Sequence, residues 1–155
     1  MAPQALVLFE LHGNPALDLV NTLDNRFNKS NDAKNAASRP PEELLKTYND
    51  LLRFLTQSEL LTETEARKLR RLDGPAARQE HVCDQVLQQA RAFREHLAAV
   101  TYALVDGLKI PEASLAALDA SFKHAATHRR LVSEDTLLTW QWSDLACDLI
   151  SPYGL

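Results

Sequence analysis

Cysteine and glycine are scarce in this sequence, and their scarcity narrows the kinds of site that it can build. Its 155 residues include two cysteines, Cys83 and Cys147, which lie far apart and belong to no CxxC pair. No disulfide framework or thiolate zinc site is indicated, and we expect two buried thiols in a reducing compartment. The four glycines are isolated, so the chain has no phosphate-binding loop of the GxGxxG or Walker A type.

An excess of basic charge and long apolar runs are also missing. Lysine and arginine number 17 against 21 aspartates and glutamates, which gives a net charge of −4. Such a chain has no overall electrostatic field that attracts nucleic acid, although this net charge does not exclude a local basic patch. No stretch reaches the ~18 consecutive apolar residues of a membrane helix. The N-terminus lacks the basic region of a signal peptide, and we expect a cytoplasmic protein.

What the sequence does contain is enough apolar material for one domain. Hydrophobic residues make up 45% of the chain and charged residues 25%, which is ordinary for a soluble globular protein. The length also suits one domain. We therefore predict a single domain over residues 1–155, whose core needs neither a disulfide nor a metal to hold it together.

Hydrophobic periodicity predicts a mostly helical chain. Residues 5–11 are apolar and β-prone, and they end at a Gly-Asn-Pro break. Asn14 is a good N-cap for a helix from Pro15 to about Asp24. The polar residues 24–40 carry no pattern and are predicted to form a disordered or solvated loop, with a lid over a binding site as the alternative. Helices are further predicted from Pro41, from Ser58 to about Leu72, over about 76–108 with a stop at Gly107, and from Pro111 to about Thr127.

The period changes near the C-terminus, where apolar and polar residues alternate in "LTWQW". We predict a hairpin of residues 129–132 and 136–142, which could pair with the strand at 5–11, and a short helix over 144–150. The predicted fold class is mainly α, α+β, with five or six helices and a small antiparallel sheet made of the N-terminal strand and the C-terminal hairpin.

The most organised stretch is "HGNPALDLVNTL", residues 12–23. Helical spacing places Asp18, Asn21 and Thr22 on the face opposite the apolar stripe of this first helix. A carboxylate, an amide and a hydroxyl that converge there could hold a small polar ligand. The alternative is an ordinary solvated helix face, with Asp18 near the positive end of the helix dipole.

Arg94, within "AFREHL" of the long helix, is a second candidate. Its guanidinium could pair with Asp18 or hold an anionic ligand through two parallel hydrogen bonds. The alternative is an exposed arginine with a modest pairing along its own helix.

Two further patterns are explained better by solvent exposure than by a site. The basic run 67–71, "RKLRR", could meet phosphates, but it is spread around a helix end. His124 and His128 have the i, i+4 spacing of a metal-binding pair, but no third ligand is evident. We therefore predict no metal site.

The chain resembles the ABATE family over nearly its whole length. The sharpest match is "GNPALDLVNTL", and the resemblance continues through "PEELLKTYNDLLRFL", "LLTETEARKLRRL", "AFREHL" and "LTWQWSDLACDLI". Asp18, Asn21 and Thr22 are the positions that match the family's ALDxVNT motif within this stretch. The family is described as proposed stress-induced transcription regulators, in which a CGNR-type zinc finger normally follows the ABATE domain and is thought to contact DNA. This sequence ends at Leu155 without a CGNR motif, so neither DNA binding nor zinc is inferred for these residues.

The resemblance and the residues together predict a non-enzymatic regulatory sensor domain, with no cofactor, that binds a small polar ligand. Asp18, Asn21 and Thr22 would supply hydrogen bonds, Arg94 a charge and Trp140 an apolar wall. DNA would be contacted only through a further C-terminal segment, and no membrane is involved. The alternative is a protein-interaction or dimerisation module without a small ligand, for which a homodimer is one arrangement. An enzyme would need a cleft with a titratable group of strongly shifted pKa.

Overall fold

The computed structural model describes residues 9–26, 40–71 and 77–142, and these confirm a mainly α fold with small antiparallel sheets. Within this part of the chain five helices accompany two sheets of two strands each. The elements are α1 (Pro15–Asn21), β1 (Leu23–Asp24), β2 (Glu42–Glu43), α2 (Tyr48–Gln57), α3 (Glu63–Arg70), α4 (Ala77–Val105), α5 (Glu112–Thr127), β3 (Arg129–Glu134) and β4 (Leu137–Trp142).

Helix α1 starts as predicted but ends earlier. The Asn14 side chain accepts hydrogen bonds from the backbone N–H groups of Ala16 and Leu17, at 3.1 and 3.2 Å. Pro15 occupies the first helical position, where a missing N–H costs nothing. The helix stops at Asn21 rather than near residue 24, because Thr22 caps it and the chain then enters β1.

The prediction of a helix that starts at Pro41 was wrong, because residues 42–43 form a strand. Residues 42–43 pair antiparallel with 23–24, so that Leu23 faces Glu43. Helix α2 begins only at Tyr48, where Thr47 and Asp50 form a capping box. In the same way α3 begins after Thr62 and its capping box, not at Ser58. Each box satisfies two backbone N–H groups at its helix start, and this favours a start at these residues.

The core lies where α2 and α4 face each other, with α1, α3 and α5 around them. Its buried members include Leu51, Phe54 and Leu55 of α2 and Val86 and Phe93 of α4. Cys83 is also buried, as expected for a thiol in a core, whereas Cys147 lies outside the described residues.

The end of α4 is a Schellman motif, as the glycine in the sequence predicts. Gly107 has φ +65, a left-handed conformation that glycine adopts without strain. Its N–H donates to the carbonyl of Leu104 at 3.3 Å, and the N–H of Leu108 donates to the carbonyl of Ala103 at 2.8 Å. The last carbonyls of the long helix are thereby satisfied.

The predicted hairpin is present, and its strands are β3 and β4. Leu131 pairs with Trp140 and Ser133 with Leu138, around a turn at Asp135, which has φ +53. Residues 9–11 of the predicted N-terminal strand belong to neither sheet, while residues 5–8 and the predicted helix at 144–150 lie outside the described residues. Among the helices described here, none is long and apolar enough to cross a membrane.

Candidate functional site

Asp18 is buried rather than solvated, and it anchors the chain that precedes its helix. Its side chain lies in α1 with only 3% of its residue surface exposed. The backbone N–H of His12 donates to Asp18 Oδ1 at 2.9 Å, and His12 Nδ1 lies 3.3 Å from the same oxygen. A buried carboxylate needs such partners. Asp18 therefore holds the segment before α1 against the helix.

Thr22 is also buried, and it joins three parts of the fold. Its hydroxyl donates to the carbonyl of Leu19 at 2.6 Å and accepts a hydrogen bond from Arg94 Nη1 at 3.2 Å. Its backbone carbonyl accepts from the N–H of Leu44 at 2.9 Å. One threonine thus connects the end of α1 to α4 and to the strand that runs beside β1.

Asn21 differs from its two neighbours in the motif, because its side chain is exposed. The three polar positions are therefore not equivalent. Asp18 and Thr22 lie on the packed side of the helix and make the hydrogen bonds that hold it. Neither belongs to the solvated face that helical spacing alone allowed.

Arg94 is buried and forms a bidentate ion pair with Glu43, not with Asp18 as the sequence suggested. Its Nη1 donates to Glu43 Oε1 at 2.7 Å and its Nη2 to Glu43 Oε2 at 2.6 Å. Its Nε donates to Glu95 Oε1 at 2.9 Å. Burial by itself lowers the pKa of Arg94, but the hydrogen bonds and charges of Glu43 and Glu95 outweigh it, so the pKa is raised. The guanidinium stays charged, and all three of its nitrogens donate hydrogen bonds.

Glu95 extends this network to the end of the first sheet. Arg26 donates to both of its carboxylate oxygens, with 3.0 Å between Nη2 and Oε1. The hydrogen bond from Arg26 is the main reason that the pKa of Glu95 is lowered; partial burial opposes it and Arg94 reinforces it. The chain on both sides of residues 27–39 is thus tied to α4, because Arg91 of the same helix also donates to the carbonyl of Leu45 at 3.0 and 2.6 Å.

Sequence reasoning missed Glu43 and Arg26 as parts of this network. Glu43 was assigned to the first turn of a helix that does not form there. One signal could have located it: Thr47 and Asp50 have the spacing of a capping box, which places the helix start at Tyr48, after Glu43. Nothing local predicts the partner of Glu43, since Arg94 lies 51 positions away.

A cleft of about 450 Å³ opens beside α1 and contains the three motif residues. Its lining is mostly polar: Glu10, Asp18 and Asp24 contribute carboxylates, and Arg26 contributes a guanidinium. The Nε of Arg26 is buried and has no hydrogen-bond partner within the described part of the chain. The full lining is Phe9, Glu10, His12, Asp18, Asn21, Thr22, Leu23, Asp24, Asn25, Arg26, Leu44 and Tyr102.

The predicted site residues therefore separate into three groups. Asp18, Asn21 and Thr22 lie together in the cleft, and Arg94 lies behind Thr22 without belonging to the lining. Trp140 is not in this cleft. It is 60% exposed on the hairpin, with the guanidinium of Arg129 at 5.4 Å from its ring centroid.

The other two patterns remain on the surface. The ring centroids of His124 and His128 are 4.8 Å apart, and no group of three metal-ligating side chains occurs among the described residues. In the basic run, Arg67 and Lys68 are exposed at the end of α3, while Leu69 between the cations is buried. The run thus follows an amphipathic helix end rather than forming one continuous cationic face.

Comparison with known proteins identifies one family. The model of the ABATE family, described as "Putative stress-induced transcription regulator", matches residues 13–151. The match includes the motif of α1, the ion-pair network and the hairpin. Neither the curated proteins nor the solved structures contain a match to this chain.

Proposed function

Because the chain belongs to the ABATE family, whose description is "Putative stress-induced transcription regulator", we propose that it is the sensor domain of such a regulator. In this proposal the domain is not an enzyme. It binds a small polar ligand in the cleft beside α1, and the bound state alters how a regulatory complex acts on DNA. The observation that carries the proposal is the exposed Asn21 in a polar cleft whose walls are held by the buried Asp18 and Thr22.

The rigidity of the cleft supports binding. Asp18 and Thr22 are each held by more than one hydrogen bond, and Thr22 rests on the Arg94–Glu43 pair. A site whose supporting residues are already fixed loses little conformational entropy when a ligand binds. Its volume of about 450 Å³ is also in the usual range for small-molecule sites.

The charges of the lining indicate which ligand chemistry fits. Glu10 and Asp24 are exposed carboxylates at the cleft, so they favour ammonium or hydroxyl groups. The Arg26 Nε is a buried donor without a partner in the part of the chain that is described, so it favours an acceptor oxygen. We therefore propose a small molecule that carries hydrogen-bond donors at one end and a carboxylate or carbonyl oxygen at the other, such as a free amino acid.

The contacts also suggest how binding is transmitted. Thr22 in the cleft contacts Arg94 in the middle of α4, and α4 packs along α5, which leads directly into the hairpin. A ligand that favours one arrangement of Thr22 and its neighbours would therefore bias the packing of the longest helix. Such a bias has an effect only if the ligand binds the two arrangements with different affinity.

A thermal-shift screen with a matched pair of variants tests this function. The panel contains free amino acids, polyamines, sugars and nucleotides, and the variants are Asn21→Ala in the cleft and Leu17→Ala on the exposed outside of the same helix. At a hundredfold excess over Kd a ligand stabilises the native state by about 2.7 kcal/mol. For a chain of this size this raises Tm by roughly 5–10 °C.

We expect at least one panel compound to shift Tm of the wild type and of Leu17→Ala, and to shift Asn21→Ala much less. The compound should be recovered unchanged after prolonged incubation, as checked by mass spectrometry. An equal shift in both variants would place binding elsewhere. The absence of any shift across the panel would argue against a ligand sensor, and turnover of the compound would argue for an enzyme.

A further inference from the structure

The β3–β4 hairpin carries an apolar face that the described residues leave uncovered. Leu131, Leu138 and Trp140, called here the hairpin face, are 51%, 70% and 60% exposed. Leu131 pairs directly with Trp140 across the ladder, and Leu138 pairs with Ser133. Directly paired residues, and residues two positions apart on one strand, project from the same side of a sheet. The three large side chains therefore form one continuous surface.

The opposite side of the hairpin is in a different environment. Val132, Thr139 and Gln141 alternate with the residues of the hairpin face, and all three are half-buried, whereas Arg130 and Leu137 at the two ends of this side are exposed. The middle of this side is thus more covered than the middle of the hairpin face. A two-stranded hairpin is marginally stable unless a hydrophobic side is packed, and an apolar patch of this kind on a soluble protein marks an interaction surface.

The charges at the two ends of the hairpin indicate the partner. Arg129 and Arg130 lie exposed at its base, and Asp135 lies exposed at its tip. Arg129 is on the same side as the hairpin face, with its guanidinium over the Trp140 ring. At ~3.3 Å per residue the six-residue strands hold the opposite charges about 20 Å apart. A partner must therefore present an apolar centre with a negative charge at one end and a positive charge at the other.

The same hairpin, rotated by 180°, has this pattern. When two copies face each other with antiparallel strands, Asp135 of each lies opposite Arg129 of the other, and the apolar centres meet. We propose that the hairpin face docks on the hairpin face of a second copy of this chain, as a two-fold symmetric dimer. Such an interface is self-complementary, because each contact occurs twice. A partner with charge of a single sign would match only one end.

The dimer interface is independent of the proposed ligand site. It contains none of the residues of the cleft, and the dimer would form with or without a ligand. A ligand screen without a hit would not contradict the dimer, and a monomeric protein would not contradict the sensor proposal.

The first test is the oligomeric state of the full chain. Sedimentation velocity from 1 to 100 µM should show a species with twice the monomer mass of 17.4 kDa. Trp140→Glu should raise the dimer Kd at least a hundredfold, because it places a charge in the apolar centre. The matched control is Leu115→Glu, which changes a leucine of similar exposure on α5 and should leave the Kd within about twofold. A wild type that is monomeric at 100 µM, or a Trp140→Glu variant that still dimerises, overturns the proposal.

The second test is a charge exchange that reports the orientation. Arg129→Asp and Asp135→Lys should each weaken self-association at least tenfold, since like charges then face each other at both ends. An equimolar mixture of the two should dimerise as well as the wild type, because every facing pair is again of opposite sign. Circular dichroism checks that both variants fold. Asp135→Asn, which tolerates the positive φ at this position, serves in place of Asp135→Lys if that variant is unfolded, and should weaken the dimer by less.

Failure of the mixture to recover the dimer overturns the antiparallel arrangement. A further outcome also counts against the proposal. If Trp140 in a Trp142→Phe background is shielded from iodide quenching in a monomeric sample, the face is covered within a single chain. Quenching that decreases as dimer forms supports the proposal.

Discussion

Arg94 and Glu43, which are 51 positions apart, are joined by two parallel hydrogen bonds of 2.7 and 2.6 Å. This pair connects the middle of the longest helix to a strand of two residues. Thr22 and Glu95 complete the environment of the guanidinium. The position of the cleft therefore depends on an ion pair whose two members are distant in sequence, and several testable consequences depend on it as well.

Replacement of Arg94 should be among the most destabilising changes in the chain. Arg94→Met removes the buried guanidinium that pairs with Glu43. Among the described residues, the Glu43 carboxylate then keeps only Arg91 as an ion-pair partner, whose Nε lies 3.7 Å from its Oε2. Loss of one member of a buried pair costs about 3 kcal/mol. Arg94→Lys keeps the charge but not the planar fork, and about 1–2 kcal/mol is expected. Urea unfolding measures both.

The control for this series is Lys123→Met, which breaks the exposed ion pair of Lys123 with Asp119 on α5. An exposed pair contributes roughly 0–1 kcal/mol, so this variant should remain close to the wild type. If Arg94→Met were as stable as Lys123→Met, the network would not be what holds β2 to α4.

Glu95 should make stability depend on pH in the acidic range. Its pKa in the folded protein lies below the ordinary value of 4.5. At pH values between the lowered pKa and 4.5, the folded state therefore binds fewer protons than the unfolded state. The stabilisation by Glu95 is then complete above about pH 4.5 and is lost as pH falls through the lowered pKa. In Glu95→Gln the free energy of unfolding should be smaller at pH 7 and should fall less steeply on acidification.

Denaturant titrations at a series of pH values from 7 to 3 provide this measurement. Glu112→Gln is a suitable comparison, because Glu112 is an exposed residue in an i, i+3 pair with Lys109. If the free energy of unfolding fell equally steeply with pH in the wild type and in Glu95→Gln, Glu95 would not be a source of the acid dependence.

The motif of α1 should divide into structural and exposed positions when its residues are replaced. Asp18→Ala leaves the His12 N–H without its acceptor and should cost about 2 kcal/mol. Thr22→Val keeps the shape but loses the hydroxyl, at about 1 kcal/mol. Asn21→Ala should remain within about 0.5 kcal/mol of the wild type. Thermal and urea unfolding of the three variants would show the division, and equal costs at all three positions would refute it.

Gly107 should resist substitution although there is space for a side chain. Apart from its neighbours in the chain, no atom of the described residues lies within 4 Å of the position that a Cβ would occupy, but φ is +65. An L-residue in this conformation costs roughly 1–2 kcal/mol. Gly107→Ala should therefore lower stability by about 1 kcal/mol, and Gly107→Asn by less, because asparagine tolerates the left-handed region. A neutral Gly107→Ala would mean that α4 can end in another way.

Much of the local structure follows from the sequence because short-range chemistry specifies it. Asn14 and Pro15 start α1, Gly107 ends α4, and the alternation in "LTWQW" identifies a strand of the hairpin. The start of α2 was misplaced for a reason that is also local, since the capping box of Thr47 and Asp50 outweighs the helical spacing of the leucines before it.

The candidate site was only partly accessible to the same reasoning. The sequence by itself determined that Asp18, Asn21 and Thr22 share a helix near the N-terminus, because helical spacing depends on neighbouring residues alone. Only the tertiary structure decided that Asp18 and Thr22 are buried, that Arg94 binds Glu43 and that Trp140 lies away from the cleft. The physical reason is that burial and ion pairing depend on which distant segments meet, and no local pattern encodes that meeting.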